Sequence, residues 1–256
     1  MNITGSTILI TGGGTGIGRG LAEALQKESN QVIIAGRRQA MLDATIQANP
    51  GIKSVVFDIG NTASIRAFAD KLVADFPSLN VVINNAGIMS FENLHSQSDD
   101  LSASDSMVTT NLTGPIHLTA ALLPHLLKQK AATVMTVTSG LAFVPLAMTP
   151  TYCATKAALH SYSQSLRYQL KDTSVDIIEL IPPYVQTELT GEHQASDPRA
   201  MPLDAFITEV ISILKSTPQP TEINVQNVLP LRNAEANGNY SAFFKNFNDQ
   251  MAASSH

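Results

Sequence analysis

Tyr152 and Lys156 stand four positions apart in a stretch with helical periodicity, and their side chains could together move a proton. At that spacing both side chains lie on one helix face, one turn apart. A free phenol has a pKa near ~10, and a neighbouring ammonium stabilises its anion. Ser139, just past an apolar strand, could donate a hydrogen bond to a substrate oxygen that gains negative charge. These residue types predict acid–base chemistry at an oxygen, although a Tyr–Lys pair alone is usually an ordinary surface pair.

A glycine-rich turn follows the first predicted strand and leads into an amphipathic helix. It reads Thr11-Gly12-Gly13-Gly14-Thr15-Gly16-Ile17-Gly18. Glycines let a backbone turn sharply and approach a pyrophosphate, while the helix N-terminus offers amides and a favourable dipole. Glycine-rich turns also occur for flexibility alone, but the position between strand and helix favours phosphate binding. The residues predicted to contact a dinucleotide are Gly12, Thr15, Gly16, Ile17 and Gly18.

Short apolar runs alternate with helical stretches and predict the sheet that positions these residues. Strands are predicted at Ser6–Thr11, Gln31–Ala35, Lys53–Phe57, Asn80–Ile83, Ala132–Thr138, Ser174–Leu180 and Glu222–Val225. Helices are predicted at Gly16–Ser29, Gln39–Ala48, Thr62–Phe76, Ser102–Leu127 and Pro150–Leu170. Strands that are apolar on both faces and separated by helices indicate a parallel sheet covered on both sides. We expect an α/β fold: a Rossmann-type, doubly wound parallel sheet of about seven strands, with ligands at the carboxyl strand ends.

Composition favours one domain and excludes several classes of partner. The 256 residues are 44% hydrophobic and 14% charged, which suits one large core spanning residues 1–256. The net charge of −5 and the lack of a basic block argue against nucleic acid and anionic membranes as partners. No signal peptide is evident, and no apolar run approaches the ~18 residues that span a bilayer, so we expect a cytoplasmic protein.

Five motifs, in order along the chain, resemble the short, single-domain branch of the short-chain dehydrogenase/reductase family. They are the Thr-Gly-x-x-x-Gly-x-Gly turn, Asn84-Asn85-Ala86-Gly87, Asn111, Ser139 and Tyr152-x-x-x-Lys156. The resemblance implies an enzyme that transfers a hydride between a nicotinamide dinucleotide and a ketone or secondary alcohol. It implies the catalytic set Asn111, Ser139, Tyr152 and Lys156, with Tyr152 as general acid or base. Lys156 would lower the pKa of the tyrosine and hold the nicotinamide ribose.

The same resemblance implies further cofactor contacts at Asn85, Ala86, Gly87, Val185 and Thr187. Asp58 matches a position beside the adenine, although capping the helix from Thr62 is an equally good role. Family members are commonly dimers or tetramers, so a homodimer or homotetramer is expected.

The end of the second strand favours NADP(H) over NAD(H). Folds that prefer NAD usually place an acidic side chain here to bind the ribose 2′-hydroxyl. Gly36 stands there instead, followed by Arg37 and Arg38, whose guanidinium groups could hold a 2′-phosphate. The two arginines could also be merely solvated charges, and Thr15 stands where a second basic residue sometimes occurs. NAD(H) therefore stays possible.

Pro115 raises a specific hypothesis about Asn111, whose backbone carbonyl in the family holds a proton-relay water. Proline has no N–H to donate to the carbonyl four residues earlier, and that residue is Asn111. Pro115, with Gly114, could therefore free this carbonyl for the water, or could only kink the helix.

The substrate pocket is predicted at Leu141, Phe143 and Tyr184, with a mobile loop near residues 190–203. Apolar residues predominate there and favour a hydrophobic ketone or alcohol as the small-molecule substrate. A helical tail near residues 238–251 carries an apolar stripe of Tyr240, Phe243, Phe244, Phe247 and Met251. It could pack on its own domain, on a neighbouring subunit or over the mouth of the site.

Several residue types predict no special chemistry. Cys153 is expected to be a buried packing residue. No metal site is predicted, because no metal-site spacing connects the six histidines, which are His95, His117, His125, His160, His193 and His256. A regulatory protein that senses the dinucleotide without turnover, and an epimerase or dehydratase on the same cofactor fold, are the alternative functions.

Overall fold

The described residues, 1–96, 100–217 and 219–253 of this computed structural model, contain seven strands that form a single sheet. Its order is β3-β2-β1-β4-β5-β6-β7, and every neighbouring pair is parallel. The strands are β1 (Thr7–Thr11), β2 (Gln31–Gly36), β3 (Lys53–Val56), β4 (Leu79–Asn84), β5 (Ala132–Val137), β6 (Val175–Ile181) and β7 (Glu222–Asn224). The strand order reverses direction between β1 and β4, which opens a crevice at their carboxyl ends. The predicted doubly wound fold is confirmed.

Helices cover both faces of this sheet and enclose two apolar cores. They are α1 (Gly16–Lys27), α2 (Gln39–Ala48), α3 (Ile65–Asp75), α4 (Ser102–Val108), α5 (Gly114–Leu126), α6 (Pro150–Gln169), α7 (Glu192–Ala195), α8 (Leu203–Ser216), α9 (Leu229–Arg232) and α10 (Tyr240–Ala253). One core joins the sheet to α1 and α8, with Leu25 and Phe206 fully buried. The other joins it to α3, α5 and α6, with Leu118 and Leu122 fully buried. No helix among the described residues has the length and apolar character to cross a bilayer.

The predicted unbroken helix over Ser102–Leu127 is wrong at its centre. A π-helical turn at Thr109–Thr113 separates α4 from α5, and the Gly114 N–H donates to the carbonyl of Thr109, five residues earlier. A Cβ on Gly114 would lie 2.5 Å from the carbonyl oxygen of Ile59, so only glycine allows this close approach. The next residue, Pro115, has no N–H to restore the α-helical pattern. The distortion therefore lies where the proline predicted one.

The region near residues 190–203 is more ordered than a simple loop. It contains the short helix α7, and the helix after it, α8, runs for 14 residues. The buried Gln194 of α7 donates from Nε2 to the Val185 carbonyl oxygen at 2.8 Å and to Thr187 Oγ1 at 3.0 Å. An isolated bridge also joins Val185 to Met201. These contacts hold the segment against the carboxyl end of β6.

Candidate active site

A cavity of about 830 Å³ opens at the carboxyl ends of the strands. Its walls come from the β1–α1 turn, the ends of β2, β4 and β5, the first turns of α6 and the segment after β6. Deep, largely apolar clefts of this size are typical small-molecule sites. The position at the reversal of strand order is where open α/β sheets bind their ligands.

The glycine turn forms one end of this cavity. Gly12 and Gly16 have φ values of +68° and +52°, which favour glycine. A Cβ on Gly12 would lie 2.9 Å from the Ala86 Cα, and a Cβ on Gly18 would lie 2.3 Å from the Gly12 carbonyl oxygen. Gly12, Thr15, Gly16 and Ile17 line the cavity, whereas Gly18 lies behind them. This bare backbone cradle fits a pyrophosphate, so the residues present suit a bound dinucleotide.

Arg37 and Arg38 line the cavity beside that cradle and are exposed. The Nη2 of Arg38 donates to Thr15 Oγ1 at 3.2 Å. A Cβ on Gly36 would meet only Leu42 Cδ2, at an ordinary 3.6 Å. Packing therefore leaves room for a side chain at this position, and no carboxylate stands there to oppose a 2′-phosphate.

Asp58 does not line the cavity. Its Oδ1 accepts a hydrogen bond from the Gly60 N–H at 2.9 Å, which closes a turn before α3. The neighbouring Phe57 and Ile59 line the cavity instead. In the structure the Asp58 carboxylate thus stabilises this turn. Its predicted contact with the adenine stays a prediction.

The Tyr152 and Lys156 side chains lie at the floor of the cavity, 6% and 4% exposed. The Lys156 Nζ is 5.5 Å from the centre of the tyrosine ring and donates to the Val137 carbonyl oxygen at 2.9 Å. Ser139 is also buried and lines the cavity. The helix α6 and the end of β5 thus bring the three predicted side chains together.

Burial dominates the electrostatics of this pair. Burial raises the pKa of Tyr152 above its ordinary value of 10.0, and a hydrogen bond with the Ser139 side chain acts in the opposite direction. Burial also lowers the pKa of Lys156 from 10.5 to about 8. Both shifts favour the neutral side chains, because a charge loses hydration on entering an apolar site. Burial therefore raises the pKa of the phenol, where the ammonium was predicted to lower it.

Asn111 lies in the π-helical turn with its side chain fully buried. Its Oδ1 accepts from the Ile88 N–H and its Nδ2 donates to the Ile88 carbonyl oxygen, both at 2.8 Å. A Cβ on Gly87 would lie 3.4 Å from Asn111 Oδ1 and 3.7 Å from Lys156 Nζ. Asn111 therefore lies just behind the cavity wall and fixes the segment after β4, close to the lysine.

Asn85, Ala86 and Gly87 line the cavity after β4, and Val185 and Thr187 line it after β6. The Asn85 Nδ2 donates to the Thr11 carbonyl oxygen at 2.9 Å, which joins this segment to the glycine turn. Pro182 and Pro183 both line the cavity as well. Gln194, which orients Val185 and Thr187, was not predicted, because a glutamine in a polar segment carries no motif.

The part of the cavity that contains the residues predicted to contact substrate is mostly apolar. Leu141 and Tyr184 line it. Phe143 does not line it: its ring packs edge-on against His160 at 4.6 Å, with the Arg232 guanidinium carbon 4.5 Å from the ring centre. Further apolar lining residues are Met89, Phe91, Leu146, Met148, Phe247 and Met251.

Phe247 and Met251 belong to α10, so the C-terminal helix lines the cavity of its own chain. Phe247 and Met251 pack against the cluster that contains Tyr152 and Leu146. Asn248 fixes the helix: its Oδ1 accepts from the Ala147 N–H at 2.6 Å and its Nδ2 donates to the Pro145 carbonyl oxygen at 3.1 Å. The tail thus packs on its own domain and over the site at once.

His160 meets two carboxylates from other elements, which sequence spacing could not reveal. Single ligand atoms of His160, Glu179 and Glu222 all lie within 4.8 Å of one another. The Glu222 carboxylate is already held by Arg232, through Nε at 2.8 Å and Nη2 at 2.9 Å. His256 lies outside the described residues. Cys153 is buried, and its Sγ accepts from the Leu146 N–H at 3.3 Å.

Comparisons with known proteins agree with this geometry. A family model described as short chain dehydrogenase matches residues 6–198. The chain is 40% identical over 253 residues to the uncharacterized oxidoreductase DltE of Bacillus subtilis (strain 168), covering 98% of this chain and 99% of that protein. It is 31% identical to an uncharacterized oxidoreductase of Staphylococcus aureus (strain N315), over 88% of this chain and 96% of that protein.

Solved structures share the fold. A short chain dehydrogenase from Burkholderia cenocepacia in complex with NADP has a TM-score of 0.77 and 22% identity, over 93% of this chain and 96% of that one. A short chain dehydrogenase/reductase from Burkholderia phymatum in complex with NAD has a TM-score of 0.80 and 20% identity, over 93% and 95%. Because the family model matches most of the chain and the Bacillus relative matches nearly all of it, this chain belongs to the short-chain dehydrogenase/reductase family of oxidoreductases.

Proposed function

We propose that this protein is an NADP(H)-dependent oxidoreductase that interconverts an apolar ketone and its secondary alcohol, with Tyr152 as general acid and base. The observation that carries the proposal is the grouping of Ser139, Tyr152 and Lys156 on the floor of one cavity whose far end is a bare glycine cradle. Reduction and oxidation are the two directions of one reaction, so the same side chains serve both.

Each residue has a role that follows from its position. Tyr152, kept protonated by burial, donates its proton to the carbonyl oxygen during reduction and takes a proton from the alcohol during oxidation. The Ser139 hydroxyl donates a hydrogen bond to the same oxygen as negative charge develops on it. Lys156, with a pKa near 8, is mostly charged at neutral pH and supplies positive charge beside the phenol.

The dinucleotide would be held by the glycine turn, by Asn85, Ala86 and Gly87, and by Val185 and Thr187, and it supplies the hydride when bound. NADP(H) is favoured over NAD(H) by the two exposed arginines after β2 and by the lack of a carboxylate at Gly36. Solved relatives with the same fold bind NADP in one case and NAD in the other. NAD(H) is therefore the second candidate cofactor.

The apolar substrate end supports a hydrophobic substrate over a charged sugar. Three methionines, Met89, Met148 and Met251, line this end, and their flexible side chains suit an apolar ligand of irregular shape. A homodimer or homotetramer in the cytoplasm remains our prediction for the assembly and its location.

Replacing Tyr152 with Phe tests the assignment. The variant should bind NADPH like the wild type and lose nearly all turnover, because a phenyl ring has no proton to give. Turnover is followed by NADPH absorbance against a panel of apolar ketones and keto-esters, with NADH in parallel. Tyr162→Phe, on the same helix but away from the cavity, is the matched control and should stay active.

Two results would contradict the proposal. Full turnover in Tyr152→Phe would remove the tyrosine from the chemistry. A wild-type protein that binds NADPH tightly but reduces no member of the panel would favour the dinucleotide-sensing alternative.

A further inference from the structure

Glu179 is a carboxylate buried inside the sheet. It lies on β6, is 0% exposed, and has Thr136 of β5 and Glu222 of β7 as its register partners. A charged carboxylate in such a place strongly destabilises the folded protein unless hydrogen bonds and opposite charge compensate it. The cavity-lining residues do not include Glu179, so binding a ligand does not explain it.

Both oxygens of this carboxylate are used by residues adjacent to the catalytic groups. The Thr138 hydroxyl donates to Glu179 Oε1 at 2.7 Å, and the His160 Nδ1–H donates to Oε2 at 2.8 Å. Thr138 directly precedes Ser139 in the chain. His160 follows Lys156 by four residues and Tyr152 by eight, so all three side chains lie on one face of α6. One carboxylate therefore connects the end of β5 to the catalytic helix.

The surroundings argue for a hydrogen-bond network rather than a metal site. Both Glu222 oxygens accept from Arg232, and one of them also accepts from Asn224 Nδ2 at 3.1 Å. Burial by itself raises the pKa of Glu222, but the hydrogen bonds from Arg232 and Asn224 outweigh it and lower that pKa. A cation placed between Glu179 and Glu222 would face the guanidinium of Arg232 and would compete with its bonds.

We propose that Glu179 is a positioning residue, which sets the place of Ser139 relative to Tyr152 by holding Thr138 and His160. The proposal rests on the proposed function, because it assigns Ser139 and Tyr152 to the same substrate oxygen. Ser139 follows the end of β5 and Tyr152 lies on α6. The distance between their side chains therefore depends on how α6 packs against β5. A displacement of about 1 Å at a reacting group can cost on the order of 100-fold in rate.

The test uses two substitutions at Thr138. Thr138→Val keeps the shape of the side chain and removes the hydroxyl that Glu179 accepts from, whereas Thr138→Ser keeps the hydroxyl. Thr7→Val controls for the loss of a buried strand hydroxyl, and the crystal structures described below separate positioning from a direct effect of Thr138, which also lines the cavity. Thr7 is also a buried strand threonine whose Oγ1 is hydrogen-bonded, to Gln31 and Ser78, but it lies at the amino end of β1, away from the cavity.

We expect Thr138→Val to lower kcat for ketone reduction by about 10-fold or more, with the Kd for NADPH within about twofold of wild type. Thr138→Ser should restore kcat, and Thr7→Val should lose thermal stability without losing kcat. If Thr138→Val and Thr7→Val lower Tm alike and both keep wild-type kcat, Glu179 serves folding only and the proposal is overturned.

Crystal structures of the two Thr138 variants give a readout that does not depend on activity. The proposal expects the distance from Ser139 Oγ to Tyr152 Oη to change in the valine variant and to return in the serine variant. An unchanged distance in both would overturn it. If the wild-type protein shows no NADPH-dependent turnover but the distance still changes in the valine variant, the positioning role is supported and the proposed function is contradicted. The two failures are therefore distinguishable.

Discussion

Replacing Lys156 with Met measures what it costs to bury an ammonium in the site. The side chain is 4% exposed, and burial lowers its pKa from 10.5 to about 8. Each pH unit between these values is worth about 1.4 kcal/mol. At pH 7 the lysine is protonated in both the folded and the unfolded chain, so its burial destabilises the folded protein by on the order of 3 kcal/mol.

The methionine variant avoids that cost and loses one hydrogen bond. The neutral amine also donates to the Val137 carbonyl oxygen, and the loss of this bond costs the variant about 1 kcal/mol. We therefore expect Lys156→Met to be more stable than wild type by about 2 kcal/mol at pH 7. We also expect it to lose turnover, because the proposed positive charge beside the phenol is gone.

The sign of the pH dependence follows from the direction of the shift. Between pH 8 and 10.5 the unfolded chain holds a proton that the folded chain has released, so wild-type stability rises with pH. The variant lacks this gain, and its advantage should vanish near ~pH 10. Urea unfolding between pH 7 and ~pH 10 measures the difference in free energy of unfolding between the variant and the wild type. Far-UV circular dichroism is the suitable signal, because the chain has no tryptophan.

Lys71→Met is the control, because the Lys71 side chain is 72% exposed and its burial cost is absent. This variant should gain no stability over the wild type at pH 7. If Lys156→Met is instead less stable than wild type at pH 7, by an amount that does not change with pH, the reasoning from burial is refuted.

Two further predictions concern specificity. Gly36→Asp should lower kcat/KM for NADPH by at least about 10-fold relative to NADH in parallel assays. The new carboxylate fits sterically and would repel a 2′-phosphate. An unchanged ratio of kcat/KM for NADPH to kcat/KM for NADH would remove Arg37 and Arg38 from cofactor choice. Phe247→Ala should raise KM for long apolar ketones by about 10- to 150-fold, since it removes roughly 1.5–3 kcal/mol of apolar burial. Tyr240→Ala should leave KM unchanged, because Tyr240 does not line the cavity.

The sequence predicts the fold well because the sheet is encoded locally. Runs such as Ile8–Ile10 are apolar on both faces, and helices separate them, so each strand is recognisable without its partners. The order of the motifs then predicts which strand ends meet. Tyr152, Lys156 and Ser139 were identifiable because their spacing is itself the signal.

The remaining features depend on contacts between distant segments. The π-helical turn needs the carbonyl of Ile59 against Gly114, and the direction of Phe143 depends on His160 and Arg232. The tail covers the cavity because Asn248 bonds the backbone 103 residues earlier at Pro145. No local periodicity carries these pairings, so an amphipathic tail could equally well have packed elsewhere.

The end of β5 shows how strand and helix residues meet at the site. The Val137 carbonyl oxygen accepts from Lys156, the Thr138 hydroxyl donates to Glu179, and Ser139 lines the cavity, as Val137 and Thr138 also do. In the helix, a spacing of four brings the tyrosine, Lys156 and His160 to one face. Val137 is thus linked to Lys156, Thr138 to His160 through Glu179, and Ser139 to Tyr152. A substitution at Thr138 should therefore disturb the chemistry of its neighbours through Glu179, in addition to any change at the cavity wall that Thr138 also lines.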